Sequence, residues 1–219
     1  MTQREKDMRA EKELAKFLDE HLYCELLKEE KFISFERVTD RTMQKQGVDV
    51  IGKTADAIAY IDEKAQLHYI NQCLPTFAFE LEFLWHGKAM EGWFLNDSLS
   101  TTHYLLLWPN ATKTDLSLIT SDDFTTVEGM MISKAKIRKH LHDIGLTDAL
   151  LHEITELLHQ QGISGPRRTA FEGIKLYVSP STKYSENPIN IVISKKILAP
   201  LADAHYLISK QGFRRKSAK

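Results

Sequence analysis

The sequence predicts a mixed α/β fold in which one long helix precedes a run of strands. Residues 5–30 place Leu14, Phe17, Leu18 and other apolar side chains at helical spacing among charged residues, as in an amphipathic helix. After that segment the apolar residues form short runs with β-strand alternation, separated by Gly, Pro and polar stretches. This order predicts a sheet with helices packed against it.

The composition is that of an ordinary globular protein. The chain has 219 residues, of which 42% are hydrophobic and 27% charged, enough for one substantial domain or two small ones. No apolar run approaches the roughly 20 residues of a membrane span, and the N-terminal residues lack the apolar core of a signal peptide. Cys24 and Cys73 show no metal-ligand spacing. We therefore expect a cytoplasmic protein with reduced thiols and no membrane partner.

The net charge of −1 hides an uneven distribution along the chain. Residues 163–219 contain eleven Lys and Arg against three Asp and Glu, a net charge of +8, and the preceding residues are acidic. Such a basic segment could bind a polyanion, although a solubilising, disordered tail explains the last seven residues equally simply. The expected phosphate contacts are Arg167, Arg168, Lys195, Lys196, Arg214 and Arg215.

The remaining elements follow from local patterns. The predicted strands are residues 32–38, 47–52, 57–66, 76–83, 92–95, 101–109, 171–179 and 189–194. Ser133 and Gly145 bound a predicted helix over 133–145, Thr147 caps a second over 147–162, and a third covers 195–209. Segments 109–123 and 162–169 are predicted loops.

Two further groups of polar residues have simple explanations. His152, Glu156 and His159 share one face of the second of these helices, which a solvated surface accounts for. Glu80 and Glu82 alternate with apolar residues on the strand 76–83 and are expected on a solvated face.

The stretch QGVDVIGKTADAIAYIDEKAQ, residues 46–66, contains charges inside two apolar strands. A four-residue connection KTAD would place Gly52 opposite Ala57 and Asp49 opposite Tyr60, so that Asp49, Asp62 and Lys64 share one face. Two carboxylates reaching across such a gap could hold one Mg²⁺, with the carbonyl of Glu63 as a further oxygen ligand. Lys64 would orient a water or stabilise charge on a phosphate.

An exposed hairpin with Lys64 paired to an acid is the alternative reading of these charges, since such surface pairs are common. A five-residue connection without a compensating bulge would place Asp49 on the opposite face. The apolar residues on both faces of these strands favour the metal site, because a buried charge is costly unless it is paired or binds a metal.

Asp49 in GVDV, followed by Asp62, Glu63 and Lys64 in IDEK, resembles the signature of the PD-(D/E)XK nuclease superfamily. Val48 stands where many members have Pro, and Gln66 matches a position where some members carry a supporting Gln or Lys. The resemblance covers about residues 10–70 and rests on a short motif. It implies a restriction-endonuclease-like mixed sheet flanked by helices. Many members also use a Glu of the first helix as a ligand, for which Glu13 and Glu20 are candidates here.

The resemblance therefore implies a Mg²⁺-dependent nuclease, with Mn²⁺ as a possible substitute, acting on phosphodiester bonds of a nucleic acid, with DNA expected. The expected catalytic residues are Asp49, Asp62, Lys64 and Gln66, and the expected metal ligands are Asp49, Asp62 and Glu63. A catalytically inactive module of the same fold that binds nucleic acid or a protein is the alternative. We expect a single domain over 1–219, with a nuclease-like core at about 5–128 and a helical, basic part at about 129–219.

Overall fold

The computed structural model describes residues 1–29, 32–162, 164–180 and 187–216. The helices in these ranges are α1 Gln3–Leu18, α2 Cys24–Lys28, α3 Arg41–Lys45, α4 Lys134–Asp143, α5 Asp148–Gln161 and α6 Lys195–Leu201. The strands are β1 Ser34–Arg37, β2 Val50–Lys53, β3 Ile58–Ala65, β4 Thr76–Trp85, β5 Lys88–Glu91, β6 His103–Ala111, β7 Phe124–Ser133, β8 Gly165–Arg168, β9 Ile174–Val178, β10 Ile189–Ser194, β11 Ala204–Ser209 and β12 Gly212–Arg215. The predicted mixed α/β class is confirmed, and the restriction-endonuclease-like topology stays a prediction.

The chain forms two compact units, each assembled from separate segments. Unit 1 contains Met1–Leu74, Thr101–Ser133 and Ala202–Lys219, and unit 2 contains Pro75–Ser100 and Lys134–Leu201. The division expected near residue 128 falls inside strand β7. Consequently the basic C-terminal quarter is not one block, because its residues up to 201 belong to unit 2 and those after it to unit 1.

Unit 1 is built on a seven-stranded mixed sheet with the order β1-β2-β3-β6-β7-β11-β12. Strands β3 and β6 run parallel, whereas the other neighbours are antiparallel. A parallel pair needs a long crossover, and here residues 66–102 separate the two strands. Central strand β6 is almost wholly buried, which explains its apolar character on both faces.

The N-terminal helix packs its apolar face on this sheet. Thr2 begins α1 with a capping box to Glu5, and the helix continues through a π-helical turn, Asp19–Tyr23, into α2. Phe17, Leu18 and other helical residues join one buried cluster with apolar residues of the sheet. The predicted long helix is thus confirmed for its described residues, and residue 30 lies outside them.

Unit 2 is built on a five-stranded antiparallel sheet with the order β5-β4-β10-β9-β8. Phe77, Phe79 and Leu81 of β4 are buried, as are Ile191 and Ile193 of β10. The alternation along β4 is the pattern that the sequence predicts, whereas β10 also buries Val192 between its two isoleucines. Helices α4, α5 and α6 complete this unit.

Several predicted elements are wrong, each where a distant partner decides the conformation. The return arm of the β4 hairpin is β5 rather than residues 92–95, and β8 lies in the predicted loop 162–169. Residues 195–209 divide into α6 and β11, because the second half pairs with β7. Strand β7 itself was not predicted, since Gly129 and two methionines weaken its strand signal, yet it pairs along β6.

Candidate active site

Strands β2 and β3 form the predicted hairpin in a different register. Val50 pairs with Ile61 and Lys53 with Ile58, so the connection is residues 54–57 rather than the expected 53–56. The shift relative to the expected register is two residues, an even number. Alternation along β3 is therefore preserved, and Asp49 approaches Asp62 rather than Tyr60.

Asp49 is held where β2 begins. Its backbone N–H donates to the Ile61 carbonyl at 2.9 Å, and its carbonyl accepts from the Val38 N–H at 2.8 Å. The preceding turn is anchored by Thr101, whose Oγ1 donates to the Gly47 carbonyl at 2.6 Å. The side-chain Oδ2 of Asp49 accepts a hydrogen bond from the Glu63 backbone N–H at 2.8 Å. The carboxylate is therefore fixed against β3, beside the Asp62–Lys64 segment.

Asp62 is the buried acid of the site, with 2% of its surface exposed. Its Oδ1 lies 2.8 Å from Lys64 Nζ, whereas its Oδ2 is buried and has no hydrogen-bond partner within the described part of the chain. Burial raises the pKa of Asp62 from 3.8 to about 7; the charge of Lys64 opposes this shift and that of Asp49 reinforces it. The structure thus brings Asp62 and Lys64 into contact, with Asp49 close enough to act on the pKa of both, and their metal-binding and catalytic roles stay predictions.

Lys64 is a positive charge among several acids. Burial lowers the pKa of its ammonium group, but Asp62, Asp49 and Glu11 outweigh that effect, and the net pKa is raised. It therefore remains protonated at neutral pH. Such a group can stabilise negative charge that develops on a bound oxyanion.

Glu11 of α1 is the acid that the sequence analysis missed. Although the residue as a whole is exposed, the pKa of its carboxyl is raised, first by partial burial in the site and then by Asp49, with Lys64 opposing. Glu13 instead binds Lys16 and the Ser121 N–H, and the side chain of Glu20 is 75% exposed. Position along the helix could have favoured Glu11 as the acid nearest the site. Glu11 lies next to the buried Ala10 and three residues before Leu14, which is on the packed face.

The side chain of Glu63 forms an ionic cluster with Arg37 beside this group. Its carboxylate accepts two hydrogen bonds from Arg37, at 2.8 and 3.0 Å, and one from the Tyr23 hydroxyl at 2.7 Å. Arg37 also binds Asp19 through its Nε and Nη2 atoms. Burial raises the pKa of Glu63, and hydrogen bonding to Arg37 opposes the shift. The carboxylate of Glu63 is thus bound to Arg37 and Tyr23. The expected role of its backbone carbonyl as a metal ligand stays a prediction.

Gln66 directly follows β3. Its backbone N–H donates to the Leu107 carbonyl at 3.0 Å, which extends the pairing of β3 with β6 by one residue. This anchor fixes the residue two positions after Lys64. A supporting catalytic role for its side chain stays a prediction.

A cavity of about 390 Å³ opens beside these residues within unit 1. It is lined by Glu11, Asp49, Lys64 and Arg37, and by apolar residues that include Met8 and Leu14. Asp62 lies behind Lys64 and does not line it. The cavity therefore gives a polar ligand access to both basic and acidic side chains, the basic ones being Lys12, Arg37 and Lys64 and the acidic ones Glu11, Asp49 and Glu63.

The donor set fits a hard divalent cation. Asp49 and Asp62 supply carboxylate oxygens, and the buried Asp62 Oδ2 lacks the donor or cation that such an atom needs. Within the described ranges, no three His, Cys, Asp or Glu side chains are grouped as a complete metal site. Mg²⁺ requires fewer protein ligands than that, because it keeps several waters and is commonly bound by one or two carboxylates together with substrate phosphate.

The expected phosphate contacts are distributed over both units. Arg167 and Arg168 lie on edge strand β8, and Lys195 and Lys196 begin α6, all in unit 2. The Arg167 guanidinium donates to the carbonyls of Pro166 and Ser164.

Arg214 and Arg215 lie on β12 in unit 1, so the start of the tail is ordered as a strand. Arg215 forms an ion pair with Glu29 at 2.8 Å and stacks over the rings of Tyr206 and Phe213. Of these two residues, Arg214 is the better placed to contact a phosphate. Residues 217–219 lie outside the described residues.

In the parts of the chain that the structure describes, there is no helix with the length and apolar character needed to cross a bilayer. No protein-family model matches the sequence. Searches of curated proteins and of solved structures likewise returned no significant match.

Proposed function

We propose that this protein is a Mg²⁺-dependent nuclease that hydrolyses phosphodiester bonds, with DNA as its substrate. The observation that carries this proposal is the meeting of Asp49, Asp62 and Lys64 where β2 begins and β3 continues. The order of these residues resembles the PD-(D/E)XK signature. A metal bound there would supply Lewis acidity to a phosphoryl oxygen.

Each residue has a defined task in this proposal. Asp49 and Asp62 hold the cation, and the hydrogen bond from Glu63 N–H keeps Asp49 oriented toward it. Lys64 presents a permanent ammonium charge to the cavity, where it stabilises negative charge on the phosphate and positions the attacking water. The Arg37–Glu63–Asp19 cluster fixes β3 beside the same cavity.

The test is cleavage of supercoiled plasmid, linear duplex and single-stranded DNA, and of RNA, by purified wild-type protein with Mg²⁺ or Mn²⁺. Asp62→Asn should lose cleavage without losing the fold, because the substitution preserves size and removes the charge. Asp56→Asn is the matched control, since Asp56 is an exposed acid in the connection between the same two strands. Equal cleavage by wild type and Asp62→Asn would refute the proposal.

Calorimetry separates this proposal from an inactive binding module. Saturable Mg²⁺ or Mn²⁺ binding that Asp49→Asn weakens supports an active metal site. DNA binding without divalent-cation binding and without cleavage supports the inactive module.

A further inference from the structure

A second group of metal-ligating side chains lies in unit 2, between strand β4 and helix α5. Glu82 of β4 is only 13% exposed, which contradicts the solvated position expected for it. His159 of α5 is 14% exposed, and its Nε2 lies 2.7 Å from Glu82 Oε1. Both atoms are shielded from solvent and are in ion-pair contact with each other, and neither has a further hydrogen-bond partner within the described ranges.

The second carboxylate oxygen of Glu82, Oε2, is contacted by the hydroxyl of Thr155. Thr155 Oγ1 lies 3.2 Å from Glu82 Oε2 and 2.9 Å from the His152 carbonyl oxygen, so its single hydroxyl hydrogen is shared between these two acceptors. Thr155 itself is fully buried. Glu82 Oε1 is consequently directed toward His159 by a fixed neighbour, as a metal-binding carboxylate is oriented by its hydrogen bonds.

Glu156, a further carboxylate that a cation could use, is one turn of helix away, although in its present rotamer it is not grouped with Glu82 and His159 as a complete metal site. Glu156 precedes His159 by three residues, so both side chains lie on the same face of α5, and both line a cavity of about 470 Å³ together with Glu82. Glu156 is exposed, and its Oε1 accepts a long hydrogen bond of 3.3 Å from Gln160. A rotamer change that costs one weak surface contact could therefore bring it to a bound cation.

The charges around this cavity favour a cation. Glu82 and Glu91 are directly opposed on neighbouring strands, an arrangement of like charges that is destabilising unless it is compensated. His152 Nε2 lies 3.5 Å from Glu91 Oε1. No lysine or arginine is among the described residues that line the cavity.

We propose that Glu82, Glu156 and His159 bind a divalent transition-metal ion of the Zn²⁺ type, with water as the remaining ligand. Imidazole and carboxylate ligands suit Zn²⁺ rather than Mg²⁺, which prefers oxygen alone. Zinc bonds of about 2.0–2.2 Å at a tetrahedral angle place two ligand atoms roughly 3.3 Å apart. The present separation of 2.7 Å between Glu82 and His159 needs only a small opening to reach that value.

This inference does not depend on the proposed nuclease function, and the experiment keeps the two apart. The full-length, tag-free protein carrying Asp49→Asn and Asp62→Asn, which lacks the carboxylates of the first site, is titrated with Zn²⁺ by calorimetry and with Co²⁺ by visible absorption. One equivalent should bind, with the absorption of a four-coordinate Co²⁺ centre and a higher melting temperature. His159→Gln and Glu156→Gln should each weaken binding at least about tenfold.

His142→Gln is the matched control, because His142 is also a helical histidine beside a carboxylate, 3.4 Å from Asp148. It should leave the affinity unchanged. Glu156 is exposed, so its substitution should not disturb folding, which circular dichroism verifies. Absence of saturable Zn²⁺ and Co²⁺ binding, or equal affinity in wild type, His159→Gln and Glu156→Gln, would overturn the proposal.

Discussion

Lys64 Nζ lies 2.8 Å from Asp62 Oδ1, and the two side chains differ greatly in exposure. Asp62 is 3% exposed at its side chain and Lys64 is 29% exposed, so the lysine covers the acid and connects it to the cavity. One ammonium group thus faces the carboxylates of Asp62, Asp49 and Glu11. This excess of negative charge determines how the site should respond to pH, to metal and to substitution.

Without divalent cations, Asp62→Asn should make the folded protein more stable at pH 8, by roughly 1–3 kcal/mol. Burial raises the folded-state pKa of Asp62 to about 7, whereas the unfolded chain should titrate near 3.8. A raised folded-state pKa contributes stability below the unfolded value and loses it as pH rises toward the folded value. The advantage of Asp62→Asn over wild type should therefore grow between about pH 4 and 7.

The measurement is urea unfolding in the presence of EDTA at several pH values across that range. Asp56→Asn should track the wild type throughout, because Asp56 is exposed in the connecting turn. A difference between Asp62→Asn and wild type that stays constant with pH would contradict the assigned burial effect.

Lys64→Met should abolish cleavage while increasing affinity for Mg²⁺ about two- to tenfold. Loss of the ammonium group removes the charge that stabilises the phosphate, and it also removes repulsion toward a cation bound by Asp49 and Asp62. Calorimetry with Mg²⁺ and single-turnover cleavage measure the two effects on one preparation. Lys53→Met, at an exposed position of β2, should change neither. Weaker Mg²⁺ binding by Lys64→Met would argue that the lysine has a purely structural role.

Glu11→Gln should weaken Mg²⁺ binding and reduce cleavage, because its carboxylate lines the same cavity as Asp49 and Lys64. A change of about three- to tenfold in affinity is expected for an acid that acts mainly through its charge at partial exposure. Glu20→Gln is the control from the same helical segment, since that side chain is 75% exposed. Equal effects of the two substitutions would remove Glu11 from the site.

Arg37→Met should destabilise the protein by about 2–3 kcal/mol, because it leaves Glu63 without its ionic partner. This is less than a fully buried pair would lose, since 26% of the Arg37 side chain is exposed. Urea unfolding at pH 7 measures the change. Arg41→Met, an exposed substitution at the start of α3, should stay within about 0.5 kcal/mol of wild type. A similar small effect at Arg37 would show that the cluster contributes little.

The hairpin and its charges could be predicted because they depend on local sequence. The apolar flanks of Asp49 and Asp62 predict two strands, and the alternation predicts which side chains lie together. The exact register could not be predicted, since moving the connection by one residue shifts each pairing partner by two, which preserves the alternation and hence the hydrophobic pattern. The choice of Glu11 over Glu13 and Glu20 depends on how the helix is rotated on the sheet, which spacing alone defines only approximately.

The sequence by itself determined the first helix, the mixed α/β character and the meeting of Asp49, Asp62 and Lys64, because each depends on residues close in the chain. Only the tertiary structure decided that β3 pairs in parallel with β6 across an intervening segment of which residues 75–100 belong to unit 2, and that residues 204–209 form β11 instead of a helix. It also decided that Glu82 lies buried against His159. The physical reason is that strand pairing and side-chain burial depend on segments that are distant in the chain. The local sequence pattern carries no information about which distant segment will pack there.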